Sequence, residues 1–387
     1  MSSRERLLNV FNGDKPDRTP ITLFITDSDI EDGPPDCVIG KRTVDTIGDL
    51  IRFHEVLGID IMLRIGVNVF EPIGFDRNTK NWSNAWESSE DKKYLVHKIT
   101  TAEGQLREVF NIEGEDFHGD PWEDWMKLRN VRTEPLIKEP EDLKIIKKYR
   151  PEIPTHDFSH IERVMKRLGE RGIVLPRVPS SVFNSAFGLR KLEDLLLDPI
   201  LRPDFYKELM EFCADDVIQV GKEIVKAGGD VMRVVGNVAN GGMVSSKFYL
   251  DHVFPYEKRY IDSLTSNGGR VLFHNCGQCA GLLELYRTML EGQALESLST
   301  PASGGDIESM RNAREKLGDN VVMVGNFDQV HLLRQGSRDD IRKEVRKIFE
   351  ETRGDNRFIF STSDSIIPGT PKENVEALVE SAFECIN

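Results

Sequence analysis

Cysteine is scarce in this chain: five in 387 residues, at positions 37, 213, 276, 279 and 385. An odd, irregularly spaced set does not make a disulfide framework and fits a reducing compartment, where thiols are free or metal-bound. Long apolar runs are missing too. None approaches the roughly 20 residues needed to cross a bilayer, and the opening Met1–Arg6 lacks the apolar core of a secretory signal, so a cytoplasmic protein is expected. Positive charge is in deficit, with 51 Lys and Arg against 65 Asp and Glu, a formal net charge of -14. That balance repels phosphate backbones and anionic lipid, and excludes nucleic acid and membrane as obvious partners. Internal repeats, low-complexity tracts and separable linkers are also lacking.

What the chain does have is alternation. Short β-rich runs at Thr19–Thr26, Asp60–Ile65, Ile173–Val178, Asp230–Val235, Arg270–Phe273, Ala294–Ser299, Asn320–Gly325 and Arg357–Ser361 are separated by helical patterns, the signature of βαβ units. Eight such runs predict an α/β fold, a single (β/α)8 TIM barrel over residues 1–387. Pro203–Ala227 has apolar residues at helical spacing and stops at Gly228-Gly229. Further helices are expected at Ser246–Ser266, Leu282–Leu290, Ile307–Leu317, Arg338–Thr352 and Pro371–Cys385. Residues 67–157, between the second and third strands, are too long for a simple crossover and read as an insertion at the barrel mouth. Within it, Lys93–Ile99 and Gln105–Asn111 alternate around a turn, predicting a β-hairpin. All four tryptophans (82, 86, 122 and 125) fall there; they either shape a substrate pocket or form a satellite core.

The richest stretch is His274-Asn275-Cys276-Gly277-Gln278-Cys279, directly after the run Arg270–Phe273. An imidazole and a thiol two residues apart lie on the same side of an emerging strand end, which suits a soft divalent metal such as zinc. The same spacing suits a buried histidine beside inert thiols, and Cys276-x-x-Cys279 before a helix also suits a redox pair. In a barrel, catalytic groups follow the carboxyl ends of the strands. Those positions are polar here: Asn237 and Asn240, His274 to Cys276, Glu296 and Thr300, Asn326 and Asp328, and Thr362 to Ser365. Glu296 also suits a structural ion pair with Arg233 on a neighbouring strand, and Asp364 a turn cap. His252 and His331 fall in or beside helices and are expected to pack or face solvent.

Several stretches together resemble the uroporphyrinogen decarboxylase-like superfamily, and more closely its corrinoid-dependent methyltransferase branch, O-demethylase methyltransferases included. They are Ser3–Pro20 (SRERLLNVFNGDKPDRTP), Gly228–Val231, Tyr249–Arg259, Gly268–Gly277 (GGRVLFHNCG), Val324–Asn326 and Pro368–Val375 (PGTPKENV). The resemblance implies a TIM barrel, bound zinc, and work against a separate cobalamin-carrying protein. No cobalamin-binding D-x-H-x-x-G occurs in this chain, so the corrinoid is expected on a partner. His274 and Cys276 look like the first two zinc ligands of the relatives that methylate coenzyme M. Those relatives take a third, cysteine ligand from a P-G-C-G-I-x-P-x-T-P pattern after the last strand; here the stretch reads STSDSIIPGTP from Ser361, with Asp364 in that place. The departure leaves three options: no metal, a site completed by Cys279, or a harder His274/Cys276/Asp364 site.

A carboxylate in place of a thiolate makes a bound ion harder and better matched to an oxygen substrate. This predicts demethylation of a methoxylated, aromatic compound onto the Co(I) corrinoid of the partner. In that reading His274, Asp364 and Glu296 are catalytic, and Asn237, Asn275 and Asn326 contact substrate. Methyl transfer to a thiol such as coenzyme M is the alternative. Decarboxylation of a uroporphyrinogen needs a cationic funnel, whereas this chain has Asp27 and Asp29 where that family carries arginine. A non-catalytic barrel that binds a ligand or a corrinoid protein is the remaining alternative.

Overall fold

The computed structural model describes all residues except 33–35, 41, 68, 70–71, 115–120, 122–124 and 387, so Trp122 lies outside the described residues. The chain separates into two compact units, one of Met1–Val67, Phe158–Val178 and Gly221–Asn387, the other of Asn68–Asp157 and Pro179–Val220. The second therefore draws in Pro179–Val220 beyond the 67–157 stretch read as an insertion. In chain order the strands are β1 (Ile61–Ile65), β2 (Trp82–Ser88), β3 (Tyr94–Thr101), β4 (Gly104–Asn111), β5 (Arg132–Glu134), β6 (Gly172–Pro176), β7 (Met232–Val235), β8 (Val271–Asn275), β9 (Ala294–Ser297), β10 (Val322–Phe327) and β11 (Phe358–Thr362).

The first unit is α/β, with parallel strands throughout. β1 pairs with β6, and β11-β10-β9-β8-β7 form a five-stranded sheet in that order. Most of these strands are buried along their whole length, as parallel strands covered on both faces must be. The expected first strand, Thr19–Thr26, is not a continuous strand but makes single bridges, Ile21 to Phe360 and Thr26 to Arg64. Pro20 offers no N–H to a ladder, so only its carbonyl pairs, with the Phe360 N–H. A third bridge, Arg177 to Arg233, lies beyond the end of β6.

One end of these strands is closed by apolar packing. The helix Ser3–Asn12 is capped by the Ser2 hydroxyl, stops at Gly13 in the left-handed conformation (φ 81°), and buries Leu7, Val10 and Phe11. These meet alternate strand residues, Met62, Ile173, Leu175, Val231, Leu272, Ala294, Val322, Val324 and Ile359. Buried carboxylates tie down the same end. Asp60 accepts from Arg6 (2.6 Å), Arg18 (2.8 Å) and the Ile21 N–H (3.0 Å), and Asp230 from Arg4 and the Val174 N–H.

The opposite, carboxyl ends carry the polar residues, and several strands run further than expected. β8 continues to Asn275 because Val235 pairs with His274 and Asn275 with Ser297. His274 is therefore within the strand rather than after it. β10 likewise takes in Asn326. β9 stops early, at Ser297, where Ser297 and Leu298 adopt positive φ (94° and 49°) and leave the β region. The expected helix Ser246–Ser266 is broken into Ser246–Phe248, a π-helical turn Tyr249–Val253 and Phe254–Ser266. Pro255, which has no N–H, removes the i→i−4 bond there.

The second unit carries an antiparallel sheet, β2-β3-β4-β5. β3 and β4 pair from Tyr94–Asn111 to Thr101–Gly104. Trp82 is fully buried with its ring 5.4 Å edge-on from Phe75, and Trp86 stacks on His97 at 4.1 Å and near Phe110. Both tryptophans thus pack within this unit's own core. Among the described residues no helix is long and apolar enough to cross a membrane.

Candidate active and metal site

Alternation along β8 sends His274 and Cys276 to one face and Asn275 to the other. His274 sits opposite Glu296 in the β8–β9 ladder. Its Nδ1–H donates to Glu296 Oε2 at 3.1 Å, with Ser297 Oγ 3.2 Å from the same nitrogen. With Nδ1–H so held, Nε2 is the nitrogen a metal would take on loss of its proton, the arrangement by which a carboxylate orients a metal-binding imidazole. Nε2 faces Asp364 Oδ2 at 4.0 Å. Donor atoms of His274, Cys276 and Asp364 all lie within 4.8 Å of one another. The Asn237 amide donates to Cys276 Sγ at 3.6 Å.

Glu296 is fully buried and its two oxygens are shared among three cations or potential cations. Oε1 accepts from Arg64 Nε (2.9 Å) and Nη2 (2.6 Å), Oε2 from Arg233 Nε (3.1 Å) and from His274. Both guanidiniums also lie over the Phe24 ring, at 4.5 and 4.9 Å, and Phe24 in turn packs on His274 at 5.4 Å. Burial disfavours a charged Glu296, but Arg64, the His274 hydrogen bond and Arg233 outweigh it and hold the carboxyl well below the usual range. Arg64 and Arg233 thus share Glu296 as their counter-ion beneath the site. Burial and Arg233 push the His274 imidazole down; hydrogen bonds to Cys276 and Glu296 and the Asp364 charge more than offset them, raising it to about 9.

The donor set fits zinc. Bonds of roughly 2.0–2.3 Å place tetrahedral N, S and O donors about 3.6 Å apart, so the three need to draw in by only about 1 Å. The histidine is held from behind, and the carboxylate, one-third exposed, is the accessible member. Cys279 is not in this group. It is fully buried, its N–H donates to Asp306 Oδ1 at 2.7 Å, and burial followed by the Asp306 charge pushes its thiol far up. Asn275 is spent on the other face of β8, where Nδ2 donates to Tyr286 Oη (2.7 Å) and Oδ1 accepts the Gly277 N–H (3.0 Å). Asn326 is buried on β10. Asn240 and Asp328 serve turns, accepting the N–H groups of Gly242 and of Val330 and His331. Arg64 and Phe24 were not singled out from the sequence. The signal for Arg64 was available: one charge inside the apolar strand Ile-Met-Leu-Arg-Ile.

The family model for uroporphyrinogen decarboxylase (URO-D) matches residues 130–385, more than half of the chain. The methylcobamide:CoM methyltransferase MtbA of Methanosarcina mazei is 25% identical over 250 residues, covering 64% of this chain and 69% of that protein. A uroporphyrinogen decarboxylase of Syntrophotalea carbinolica is 31% identical over 179 residues, covering 46% of this chain and 48% of that one. A solved methyltransferase structure from Methanosarcina mazei shares the fold with a TM-score of 0.62 over 99% of both chains, at 18% identity. The chain belongs to the uroporphyrinogen decarboxylase family.

Proposed function

We propose that this protein is a corrinoid-dependent methyltransferase that takes a methyl group from a methoxylated, aromatic substrate and passes it to the Co(I) corrinoid of a separate protein. The observation that carries the reading is the His274/Cys276/Asp364 donor set, with a carboxylate where a third thiolate would make a softer site. His274 and Cys276 would hold zinc on the strand end and Asp364 would complete the set; the ion would supply Lewis acidity toward an ether oxygen. In the transfer the methyl carbon leaves oxygen for cobalt, the oxygen keeps the bonding pair, and a proton reaches that oxygen. Phenolate is a reluctant leaving group, so stabilising this oxygen is what the chain must provide. The ion, or Asp364 in its place, would be the group that stabilises this oxygen. Glu296 keeps the His274 tautomer and orientation fixed.

The fold underlying this reading is a (β/α)8 barrel over the whole chain with an insertion at 67–157, supported by the single bridges that flank β1, β6, β7 and β11. A second reading, methyl transfer to a thiol such as coenzyme M, is favoured by the likeness to MtbA. Two measurements on the full chain separate them. Elemental analysis of protein purified without chelator should give about one zinc per chain, lost in His274→Ala, Cys276→Ala and Asp364→Ala. Incubation of a reduced corrinoid protein with methoxylated aromatics should consume the Co(I) absorption only when this protein is present. Turnover confined to methylated corrinoid plus a thiol would replace the first reading with the second.

A further inference from the structure

Among the described residues of the first unit, the buried oxygens without a hydrogen-bond partner include Thr22 Oγ1, Asn326 Oδ1 and Ser361 Oγ, besides others such as Ser263 Oγ and Asp328 Oδ2. These three are neighbours. Asn326 pairs with Ser361 in the β10–β11 ladder. Ile21 bridges Phe360 and the Thr22 N–H donates to the Phe360 carbonyl, so Thr22 adjoins Ser361. Neighbours across a parallel ladder share a face. That face is the site's own: Ile359, one pleat below Ser361, belongs to the apolar floor, and Phe24, one pleat above Thr22, packs on His274.

Val324 pairs with Glu296, and Glu296 with His274, so Val324 lies two strand spacings, about 10 Å, from His274 along the sheet. Asn326 follows two residues on. Ser361 lies three residues before Asp364. Buried polar atoms in native proteins are paired, and a row of unpaired ones calls for a bound group.

We propose that Thr22, Ser361 and Asn326 form a second subsite that hydrogen-bonds a neutral hydroxyl group of the substrate, remote from its methylated oxygen. The amide oxygen needs a donor, and the two hydroxyls both donate and accept, which matches an O–H. Thr22, Ser361 and Asn326 carry no charge, so the row itself matches a neutral O–H rather than a carboxylate. The substrate's identity rests on the methyl-transfer reading; the subsite itself does not. An ordered water has the same chemistry, so the test must tell the two apart.

Calorimetric titration of the zinc-loaded full chain with 4-methoxyphenol and with methoxybenzene does so. The phenol should bind about tenfold more tightly, the contribution of one good buried hydrogen bond. In an Asn326→Leu/Ser361→Ala variant that ratio should fall to near one, with methoxybenzene affinity and zinc content retained; Thr22→Val, which keeps the shape, should lower the ratio part of the way if the double variant does not fold. Equal affinities in the wild type, an undiminished ratio in the folded variants, or no binding of either compound overturns the subsite and leaves the row to water. A preserved binding preference without methyl transfer would remove the proposed reaction and leave the subsite standing.

Discussion

Replacing Glu296 by glutamine keeps the shape and removes one charge. The carboxylate is fully buried and is the shared counter-ion of Arg64, Arg233 and His274. Breaking a buried ion pair from one side leaves uncompensated charge, at a cost of about 3–5 kcal/mol. At about 2.1 cal/mol/K per residue, 387 residues unfolding together have an entropy of about 0.8 kcal/mol/K, so the midpoint should fall by about 4–6 °C. Scanning calorimetry of the metal-free Glu296→Gln protein reads this directly. Zinc affinity should drop about 10–100-fold as well, because the imidazole loses the acceptor that orients it. The triple variant Glu296→Gln/Arg64→Met/Arg233→Met should regain most of the stability without regaining the zinc affinity. A midpoint within 1 °C of wild type in the single variant, at roughly unchanged zinc affinity, would refute the shared counter-ion account.

Three further outcomes follow from the same geometry. Cys279→Ser should retain about one zinc per chain while Cys276→Ser loses it, as measured by elemental analysis; equal loss would bring Cys279 into the donor set. In the metal-free protein, the His274 value of about 9 lies above its ordinary 6.5, so protonation stabilises the fold. That contribution is complete below pH 6.5 and is lost as pH rises through 9, so the unfolding midpoint should decline across this window and the decline should be absent in His274→Gln. Asp364→Cys should bind zinc more tightly and transfer methyl groups from oxygen more slowly, by about tenfold or more, since a thiolate softens the ion; a faster ether reaction in a corrinoid-reduction assay would contradict the hardness argument.

How much of the site could be read in advance depends on how far each feature reaches along the chain. His274 and Cys276 were legible because a strand alternates every two residues, a local rule that holds wherever the strand is placed. Cys279 satisfied the same kind of spacing rule but sits beyond the strand, where the chain turns, its N–H held by Asp306 and its side chain buried away from the donor set. The end of β8 was set two residues short because the ladder partners that extend it, Val235 and Ser297, are remote in sequence.

The sequence by itself determined the alternation of strand and helix, the polar strand ends, and the family. Hydrophobic period and side-chain chemistry are properties of short stretches. Tertiary structure alone decided that Arg64 and Glu296, 232 residues apart, share one buried ion pair. It also decided that Asp364 comes within reach of His274, and that Thr22, Asn326 and Ser361 form one unpaired row. Those are statements about which strands lie side by side, and a strand's neighbours are set by packing of the whole sheet rather than by its own residues.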